Sequence, residues 1–423
     1  MLNKKIDLPC GQDKNPNVAV WVLLAVIILF TIFVRVRLID IPFERDEGVY
    51  AYSARLMLQG KPPYSEVYHL KLPGLFAVYS LMMTLFGQTI FGVHFGLMVI
   101  NVLTVVLMFY LGKRLLDESA GIMAAASFSL LSIDPQVLGF SANSEMLLLL
   151  PAISGVIYML RAIESKRKLD YFFCGLLLGA AVIIKQFAAL FIIFAGLYII
   201  YDFDKDRSES NKVSIQKLLL YCAGVFAPFI IICILLKFAG VFDKFWLWNF
   251  KYALSYASKV PFGEGMERLT SQLVSITLAT KMIWLVSAIG LTSLLWDKPA
   301  REKSVFFFAF SIFSFLAVCP GLYFRPHYFI LMLPAVALMA GVGVSSISRI
   351  KKINESHILK KVVPVLIATF VILFTVTKMR GYLFSYSTKK IIRVVYGSNP
   401  FDESLEIAKY IEERTEPNGT FEA

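Results

Sequence analysis

The stretch that decides the fold is Asp170–Tyr201, which reads DYFFCGLLLGAAVIIKQFAALFIIFAGLYIIY. A membrane-spanning helix needs about 20 apolar residues, so this run is too long for one span. Lys185 and Gln186 interrupt it at its middle. We therefore expect a tight hairpin of two transmembrane helices, with Lys185 and Gln186 at its tip.

Comparable apolar runs extend this pattern along the chain. They lie near 18–34, 92–112, 119–138, 145–162, 217–239, 277–296, 304–319, 328–348 and 361–379. The composition is 57% hydrophobic and 17% charged, whereas soluble domains have about 45–50% apolar and about 25% charged residues. The sequence predicts an all-α polytopic membrane protein with about eleven transmembrane helices.

One further apolar run, Gly74–Phe86, decides the orientation. If it does not span, the basic clusters all fall in cytoplasmic loops, as the positive-inside rule requires: Lys113 and Arg114; Arg161 and 166–168; Lys205, Arg207, Lys212 and Lys217; Lys298, Arg301 and Lys303; Arg349, Lys351, Lys352, Lys360 and Lys361. We therefore expect a multi-pass protein of the plasma (inner) membrane with a cytoplasmic N-terminus and an external C-terminus. Gly74–Phe86 is then a juxtamembrane helix at the outer interface.

This topology divides the chain into two parts. Residues 1–380 form the transmembrane domain, whose first external loop is 35–91, and residues 381–423 form an external tail. The net charge of +12 comes largely from loop clusters that suit membrane lipids, so nucleic acid is not an expected partner.

Polar side chains collect on the predicted outer face. Charged groups near membrane depth are usually functional or paired. Besides the first external loop, this face holds Asp134, Asn143, Glu145, Lys185, Gln186, the aromatic loop with Trp246, Trp248, Tyr252 and Tyr256, and Tyr323-Phe324-Arg325-Pro326-His327-Tyr328.

Asp46 and Glu47 begin a predicted helix that reaches Gln59, ahead of Gly60. Two interpretations stay open. Asp46 can be the N-cap and Glu47 a partner of the helix dipole. Alternatively, this carboxylate pair facing a cavity can supply a general base or a ligand for a divalent metal ion, with Glu47 as the candidate ligand.

The basic residues of the outer face have two interpretations as well. Lys71, Arg325 and His327 can be interfacial anchors, or they can bind a lipid phosphate, for which arginine is well suited. Glu145 can serve a helix dipole and Lys185 can extend to the headgroups. The aromatic loop can be a membrane belt or a sugar-stacking surface. Asp202-Phe203-Asp204 and Asp204-Lys205-Asp206 are interpreted as a solvated charge run, although they match the pattern of metal-dependent sugar transferases.

Several motifs resemble the dolichyl-phosphate-mannose–protein mannosyltransferase family and the aminoarabinose transferases, within the C-type glycosyltransferase superfamily. They are Glu44-Arg45-Asp46-Glu47-Gly48, the segment His69-Leu70-Lys71-Leu72-Pro73-Gly74, the Phe-Gly-x-His-Phe-Gly run at 91–96, Asn-Ser-Glu at 143–145, Lys185-Gln186 and Arg-Pro-His-Tyr at 325–328. The resemblance implies juxtamembrane helices in the first external loop, which agrees with the charge argument about Gly74–Phe86.

The resemblance also implies a hexosyl- or pentosyltransferase that uses a polyprenyl-phosphate-linked sugar donor. Asp46 is then the candidate catalytic base, with Glu47 beside it. Lys71 is similar to the lysine that engages the carrier phosphate. The substrate-binding candidates that complete this set are His69, Glu145, Lys185, Arg325, His327 and Tyr328.

The tail from Tyr396 to Pro417 looks like the entry to an external soluble domain of many relatives. We expect either a truncated domain or a partner subunit that supplies it, and the acceptor stays open. The rival functions are a polytopic transporter or lipid flippase, which would place charges at the bilayer midplane and show an internal repeat, and a non-catalytic assembly subunit.

Overall fold

The computed structural model describes residues 18–205, 210–401 and 403–415, which are helical and contain no strand within these ranges. Asp206, Arg207 and the tail residues 416–423, which entered the sequence argument, lie outside the described residues. The helices of the first half are α1 (Val18–Arg37), α2 (Arg45–Leu58), α3 (Pro73–Phe86), α4 (Ile90–Leu115), α5 (Glu118–Ser132), α6 (Ser144–Ser165), α7 (Lys168–Ile184), α8 (Ala189–Lys205) and α9 (Asn211–Phe238).

The second half contains shorter helices between its long ones. They are α10 (Phe242–Trp246), α11 (Ala253–Ala257), α12 (Phe262–Leu278), α13 (Lys281–Trp296), α14 (Lys298–Glu302), α15 (Ser304–Leu316), α16 (Leu333–Ile347), α17 (Lys351–Asn354), α18 (His357–Arg380), α19 (Thr388–Tyr396) and α20 (Ser404–Glu412). A π-helical turn, Leu247–Tyr252, joins α10 to α11, so the predicted aromatic loop is helical.

The chain is a multi-pass membrane protein, but the count of eleven spans is not confirmed. Seven of the described helices are long and apolar enough to cross a membrane, and an eighth span results if α12 and α13, bent by 106°, are counted together. The predicted spans at 119–138 and 304–319 fall on α5 and α15, with 15 and 13 residues. These lengths fall short of the roughly 20 residues that a span needs.

The predicted break at Lys185 and Gln186 is a turn between two helices, although α7, with 17 residues, is not among the seven helices long enough to span. Helix α7 ends at Ile184, a short turn of 3-10 helix covers Gln186–Ala188, and α8 follows. Helix α7 also packs closely on α9 at Gly175. A Cβ atom added to this glycine would lie only 2.1 Å from the Tyr221 carbonyl oxygen. The tip of the hairpin therefore has a fixed position in the bundle.

Helix α3 is a short apolar helix, as expected for a segment that does not span. It has 14 residues and buries one face, including Leu75, Phe76 and Tyr79. A Cβ on Gly74 would lie 2.5 Å from the carbonyl oxygen of Ile183, so α3 begins directly against the end of α7. This contact brings the first polar loop to the tip of the hairpin.

Helix α16 is the central element. The segment Pro326–Ile347 is fully surrounded by other parts of the chain. At its C-terminal end, the Arg349 guanidinium bonds Asp297 at 2.7 and 2.8 Å and Asp117 at 2.9 Å. This cluster joins the ends of α5, α13 and α16, while the N-terminal end of α16 carries the segment with Arg325 and His327.

Candidate functional site

A cavity of about 540 Å³ opens at the end of the bundle where α2 begins and α7 ends. Its walls come from the start of α2, the segment before α3, the hairpin tip, the helical segment 249–257 and the segment before α16. Six of the nine catalytic and substrate-binding candidates from the sequence line it: Asp46, His69, Lys71, Lys185, Arg325 and Tyr328. Residues from five distant parts of the chain therefore share one cavity.

Asp46 lies in the first turn of α2 and is not its N-cap, so the capping interpretation is wrong. Glu44 occupies the N-cap position, with extended backbone angles, and the Glu44 amide donates to Glu47 at 3.2 Å. The Asp46 carboxylate accepts a hydrogen bond from the Tyr50 hydroxyl at 3.4 Å. The Asp46 carboxylate therefore does not cap the helix and is accessible from the cavity.

The charges around the cavity keep Asp46 ionised. Burial alone would raise the pKa of this carboxyl, but the positive charges of Lys71, Arg45 and Arg325 hold the pKa below its usual value. Near neutral pH the carboxylate can therefore accept a proton or a hydrogen bond.

Lys71 is fixed by its backbone and leaves its ammonium group available. The Tyr64 hydroxyl donates to the Lys71 carbonyl at 2.7 Å, and the Lys71 amide donates to His69 Nδ1 at 3.1 Å. The Lys71 ammonium lies 5.8 Å from the centre of the Tyr50 ring. Among the described residues no carboxylate lies within ion-pairing distance of this ammonium.

His69 is a neutral neighbour of Lys71. Burial, together with the charge of Lys71, lowers the pKa of the His69 imidazole to about 4. Its Nδ1 accepts the Lys71 amide hydrogen bond, so the imidazole proton is on Nε2 near neutral pH. His69 can donate one hydrogen bond there without adding charge.

Arg325 is held by aromatic side chains. Its guanidinium donates to the Tyr256 hydroxyl at 2.8 Å and lies 5.6 Å from the centre of the Tyr323 ring. The rings of Tyr256 and Tyr323 stack at 4.7 Å with an angle of 8° between their planes. In the described part of the chain Arg325 has no carboxylate partner, so this cation, like Lys71, is available to an anion in the cavity.

Glu145, Lys185 and His327 form a buried group at the cavity wall, which Lys185 lines. The Lys185 ammonium donates to Glu145 and lies 4.1 and 4.4 Å from the centres of the Tyr328 and Phe187 rings. His327 Nε2 lies 3.8 Å from Glu145 Oε1. Lys185 is 2% exposed, so the prediction that it extends to the headgroups is wrong: its charge is paired inside the protein.

Glu47 lies outside the cavity. Its side chain is completely buried and contacts His94 and the Ala142 amide. Among the described residues no group of three His, Cys, Asp or Glu side chains is arranged to hold a metal ion. The structure thus separates two adjacent carboxylates that the sequence had treated as a pair.

The sequence interpretation missed Arg45, Tyr68 and Asn249, which also line the cavity. Asn249 had a detectable signal, because the lining residues Asn249, Ala253 and Tyr256 recur with the spacing of one helical face. Reading residues 246–256 as a loop concealed that periodicity. Arg45 and Tyr68 carried no comparable pattern.

Comparisons with known proteins agree with this architecture. Residues 71–232 match the family described as dolichyl-phosphate-mannose-protein mannosyltransferase. The sequence matches no curated protein significantly. The structure is similar to that of ArnT from Cupriavidus metallidurans bound to undecaprenyl phosphate, with a TM-score of 0.61 and 15% identity over 95% of this chain and 82% of that one.

Two structures from Archaeoglobus fulgidus share the fold. One is an oligosaccharyltransferase in the apo form, with a TM-score of 0.56 and 12% identity, and the other is the archaeal oligosaccharyltransferase AglB in complex with an inhibitory peptide and a dolichol-phosphate, with a TM-score of 0.59 and 13% identity. Each alignment covers 95% of this chain but only 59% and 58% of theirs. The resemblance inferred from the motifs is therefore confirmed: this chain is similar to the dolichyl-phosphate-mannose–protein mannosyltransferases and has the fold of ArnT and AglB.

Proposed function

We propose that this chain is a membrane glycosyltransferase that moves a sugar from a polyprenyl-phosphate carrier to an acceptor on the outer face of the membrane. The observation that carries the proposal is a cavity that combines one ionised carboxylate, Asp46, with two cations that have no carboxylate partner, Lys71 and Arg325. Such a site suits a reaction in which a phosphate leaves while an acceptor loses a proton.

In the proposed reaction the bond between the anomeric carbon and the phosphate oxygen breaks, and its electron pair stays on the phosphate. Lys71 and Arg325 stabilise the charge that grows on this leaving group, and each charge-assisted contact is worth about 1.5–3 kcal/mol. The acceptor atom bonds to the anomeric carbon, and its proton passes to Asp46. General base catalysis of this kind contributes roughly 10²–10⁴-fold.

The lipid nature of the proposed carrier has independent support. The non-polar part of the cavity wall includes Phe250, Ala253, Leu254 and Pro320, and Leu254 is 75% exposed on the surface of the bundle. An apolar chain can therefore leave the cavity toward the membrane. ArnT was solved with undecaprenyl phosphate and AglB with a dolichol-phosphate, so the same class of carrier is proposed here.

The outer location rests on the charge distribution. Charged clusters at the opposite end include Arg161, Lys168 and Arg349, in agreement with the positive-inside rule. In a variant without native cysteines, Glu66→Cys and Arg167→Cys can be labelled in intact cells by an impermeant maleimide. We expect labelling at position 66 only, and labelling at position 167 instead would reverse the topology.

A transporter or lipid flippase is the competing function. Such a protein is expected to bind its substrate near the bilayer midplane, whereas the cavity residues identified here lie at one end of the bundle. A flippase would move the lipid-linked sugar and leave its sugar–phosphate bond intact. Product analysis therefore separates the two functions.

The test is a donor screen with the purified protein in nanodiscs. Undecaprenyl-phosphate-linked mannose, glucose, galactose and aminoarabinose are supplied with a crude acceptor fraction of proteins, lipids and glycans. We expect release of free undecaprenyl phosphate with at least one donor and appearance of its sugar on an acceptor. Intact donors throughout this panel, with the protein demonstrably folded and able to bind undecaprenyl phosphate, would contradict transfer from these carriers.

A further inference from the structure

Glu47 follows Asp46 directly, yet the two carboxylates have opposite environments. Asp46 lines the cavity, whereas Glu47 is 0% exposed. Successive residues on a helix project about 100° apart, so one can face the cavity while its neighbour enters the core. A buried carboxylate is costly unless hydrogen bonds satisfy it, and the contacts of Glu47 show what it does.

The Glu47 carboxylate accepts hydrogen bonds from two backbone amides of different segments. Its Oε1 accepts from the Ala142 amide at 2.6 Å, and its Oε2 accepts from the Glu44 amide at 3.2 Å. The Glu44 bond closes the first turn of α2, in which Asp46 lies. The Ala142 bond ties that turn to the segment that precedes α6.

His94 on α4 extends this network. Its Nδ1 lies 2.8 Å from the Ile39 carbonyl and its Nε2 lies 3.1 Å from Glu47 Oε1. A carbonyl oxygen only accepts hydrogen bonds, so Nδ1 must carry a proton. A second shared proton then lies between Nε2 and Glu47. Glu47 is thereby connected to α4 and to the turn that follows α1.

The backbone of Ala142 is held through both its amide and its carbonyl group. Glu47 binds its amide, and the Tyr79 hydroxyl donates to its carbonyl at 2.8 Å. Three residues later in the sequence, Glu145 binds Lys185, which lines the cavity. The Ala142 peptide is therefore a short, rigid connection between the turn that carries Asp46 and the group that surrounds Lys185.

We propose that Glu47 is a positioning residue that fixes Asp46 relative to the Glu145–Lys185 side of the cavity, through its bonds to the Ala142 amide and His94. The inference rests on the proposed function, because it assigns Asp46 the role that Glu47 supports. Glu47 itself does not act as a base: its oxygens are occupied by two amides and an imidazole, and none of its surface is accessible to an acceptor.

The first test measures structure and needs no activity. Hydrogen exchange of the Ala142 amide, read by mass spectrometry on peptides covering 139–146, is compared in wild type, Glu47→Gln, His94→Gln and the exposed control Glu66→Gln. We expect at least 10-fold faster exchange in Glu47→Gln, an intermediate increase in His94→Gln, and wild-type exchange in the control. Unchanged exchange in a folded Glu47→Gln protein would overturn the proposal, even if wild type proves to transfer no sugar.

The second test separates positioning from base catalysis. A misplacement of about 1 Å can cost about 10²-fold in rate, so Glu47→Gln should lower kcat by roughly that factor, with the donor KM within about threefold of wild type. Added formate should restore activity to Asp46→Ala and leave Glu47→Ala unchanged. Rescue of Glu47→Ala by formate would identify Glu47 as the base and overturn the proposal.

The predicted coupling adds a third readout. Glu47→Gln and His94→Gln interrupt the same network, so the double variant should lose little more kcat than Glu47→Gln alone. Glu47→Gln combined with Lys71→Ala should show additive losses, because Lys71 acts on the phosphate. Additive losses for Glu47 and His94 would contradict the shared network.

Discussion

The cavity and the Arg349 cluster lie at opposite ends of α16, and they treat charge in opposite ways. At the Arg349 end, one guanidinium bonds two carboxylates, while the hydroxyls of Ser345 and Ser346 donate to the same aspartates. At the cavity end, Lys71 and Arg325 line the cavity without a direct carboxylate contact in the described chain. Paired charges therefore join helices, whereas cations without a direct carboxylate contact are available to bind an anion in the cavity.

The two ends also differ in what their charges contact. The carboxylates and guanidinium of the Arg349 cluster bind one another directly. The cavity near Asp46 measures about 540 Å³, within the range of about 300–1,000 Å³ that is typical of ligand sites. Substitutions at the two ends test whether the charges of the Arg349 cluster are structural and those of the cavity functional.

The largest effect should follow Asp46→Asn. Asparagine keeps the size of the side chain and cannot take the acceptor's proton, so transfer should fall by roughly 10²-fold or more. Binding of undecaprenyl phosphate, measured by thermal shift, should remain. Asp243→Asn, an exposed carboxylate outside the cavity, is the matched control. Near-normal turnover in the Asp46→Asn protein would exclude Asp46 as the base.

A smaller loss should follow removal of the phosphate-binding cations. Lys71→Ala and Arg325→Ala each delete a charge-assisted contact worth about 1.5–3 kcal/mol, or about 10- to 150-fold in use of the donor. The measurement is kcat/KM for the lipid-linked donor, with exposed Lys244→Ala as the control. If both variants use the donor normally, these residues are membrane anchors.

Arg349→Met should lower the stability of the protein and leave its turnover nearly unchanged. The substitution leaves Asp117 and Asp297 without their cation, and we expect a loss of about 1.5–3 kcal/mol of unfolding free energy. Thermal unfolding in detergent measures the loss, and turnover per folded molecule should stay within about twofold of wild type. A large loss of kcat in protein that remains folded would mean that the two ends are coupled.

The smallest effect should be that of mild acid. The pKa of Asp46 is held below its usual value, so its base form is present above that pKa and is lost only as pH falls through it. His69, with a pKa of about 4, stays neutral over the same range. These two groups should therefore leave kcat/KM flat from pH 5.5 to 7.5. A midpoint near pH 6.5 that disappears in Asp46→Asn but persists in His69→Asn would contradict this electrostatic account.

The major polar groups could be located from the sequence because charged residues are costly, and therefore rare, in membrane helices. An interruption such as Lys185-Gln186 within an apolar run is conspicuous, and the structure has a turn between α7 and α8 at this position. The same length criterion left the number of spans unconfirmed, because α5 and α15 have only 15 and 13 residues. Helix α5 is almost completely buried, whereas α15 exposes Phe308 and Leu316. Tertiary burial of short helices is not visible in a window of hydropathy.

Part of the cavity lining was predictable from the sequence, and its geometry was not. Asp46, Lys71 and Arg325 were identified from their chemistry and share the cavity. The partition between Asp46 and Glu47 was not predictable, because it depends on the N-cap of α2 being Glu44 and on His94 and Ala142, which are distant in sequence. Local sequence gives the helix, and only packing determines which of its residues turns inward.

The most direct test of the central claim is an experimental structure of this protein with undecaprenyl phosphate. We predict that the phosphate lies in the cavity with its oxygens about 3 Å from the Lys71 ammonium and the Arg325 guanidinium, and that the hydrocarbon chain leaves past Phe250 and Leu254. A phosphate bound elsewhere on the bundle, with the cavity near Asp46 empty, would contradict the account.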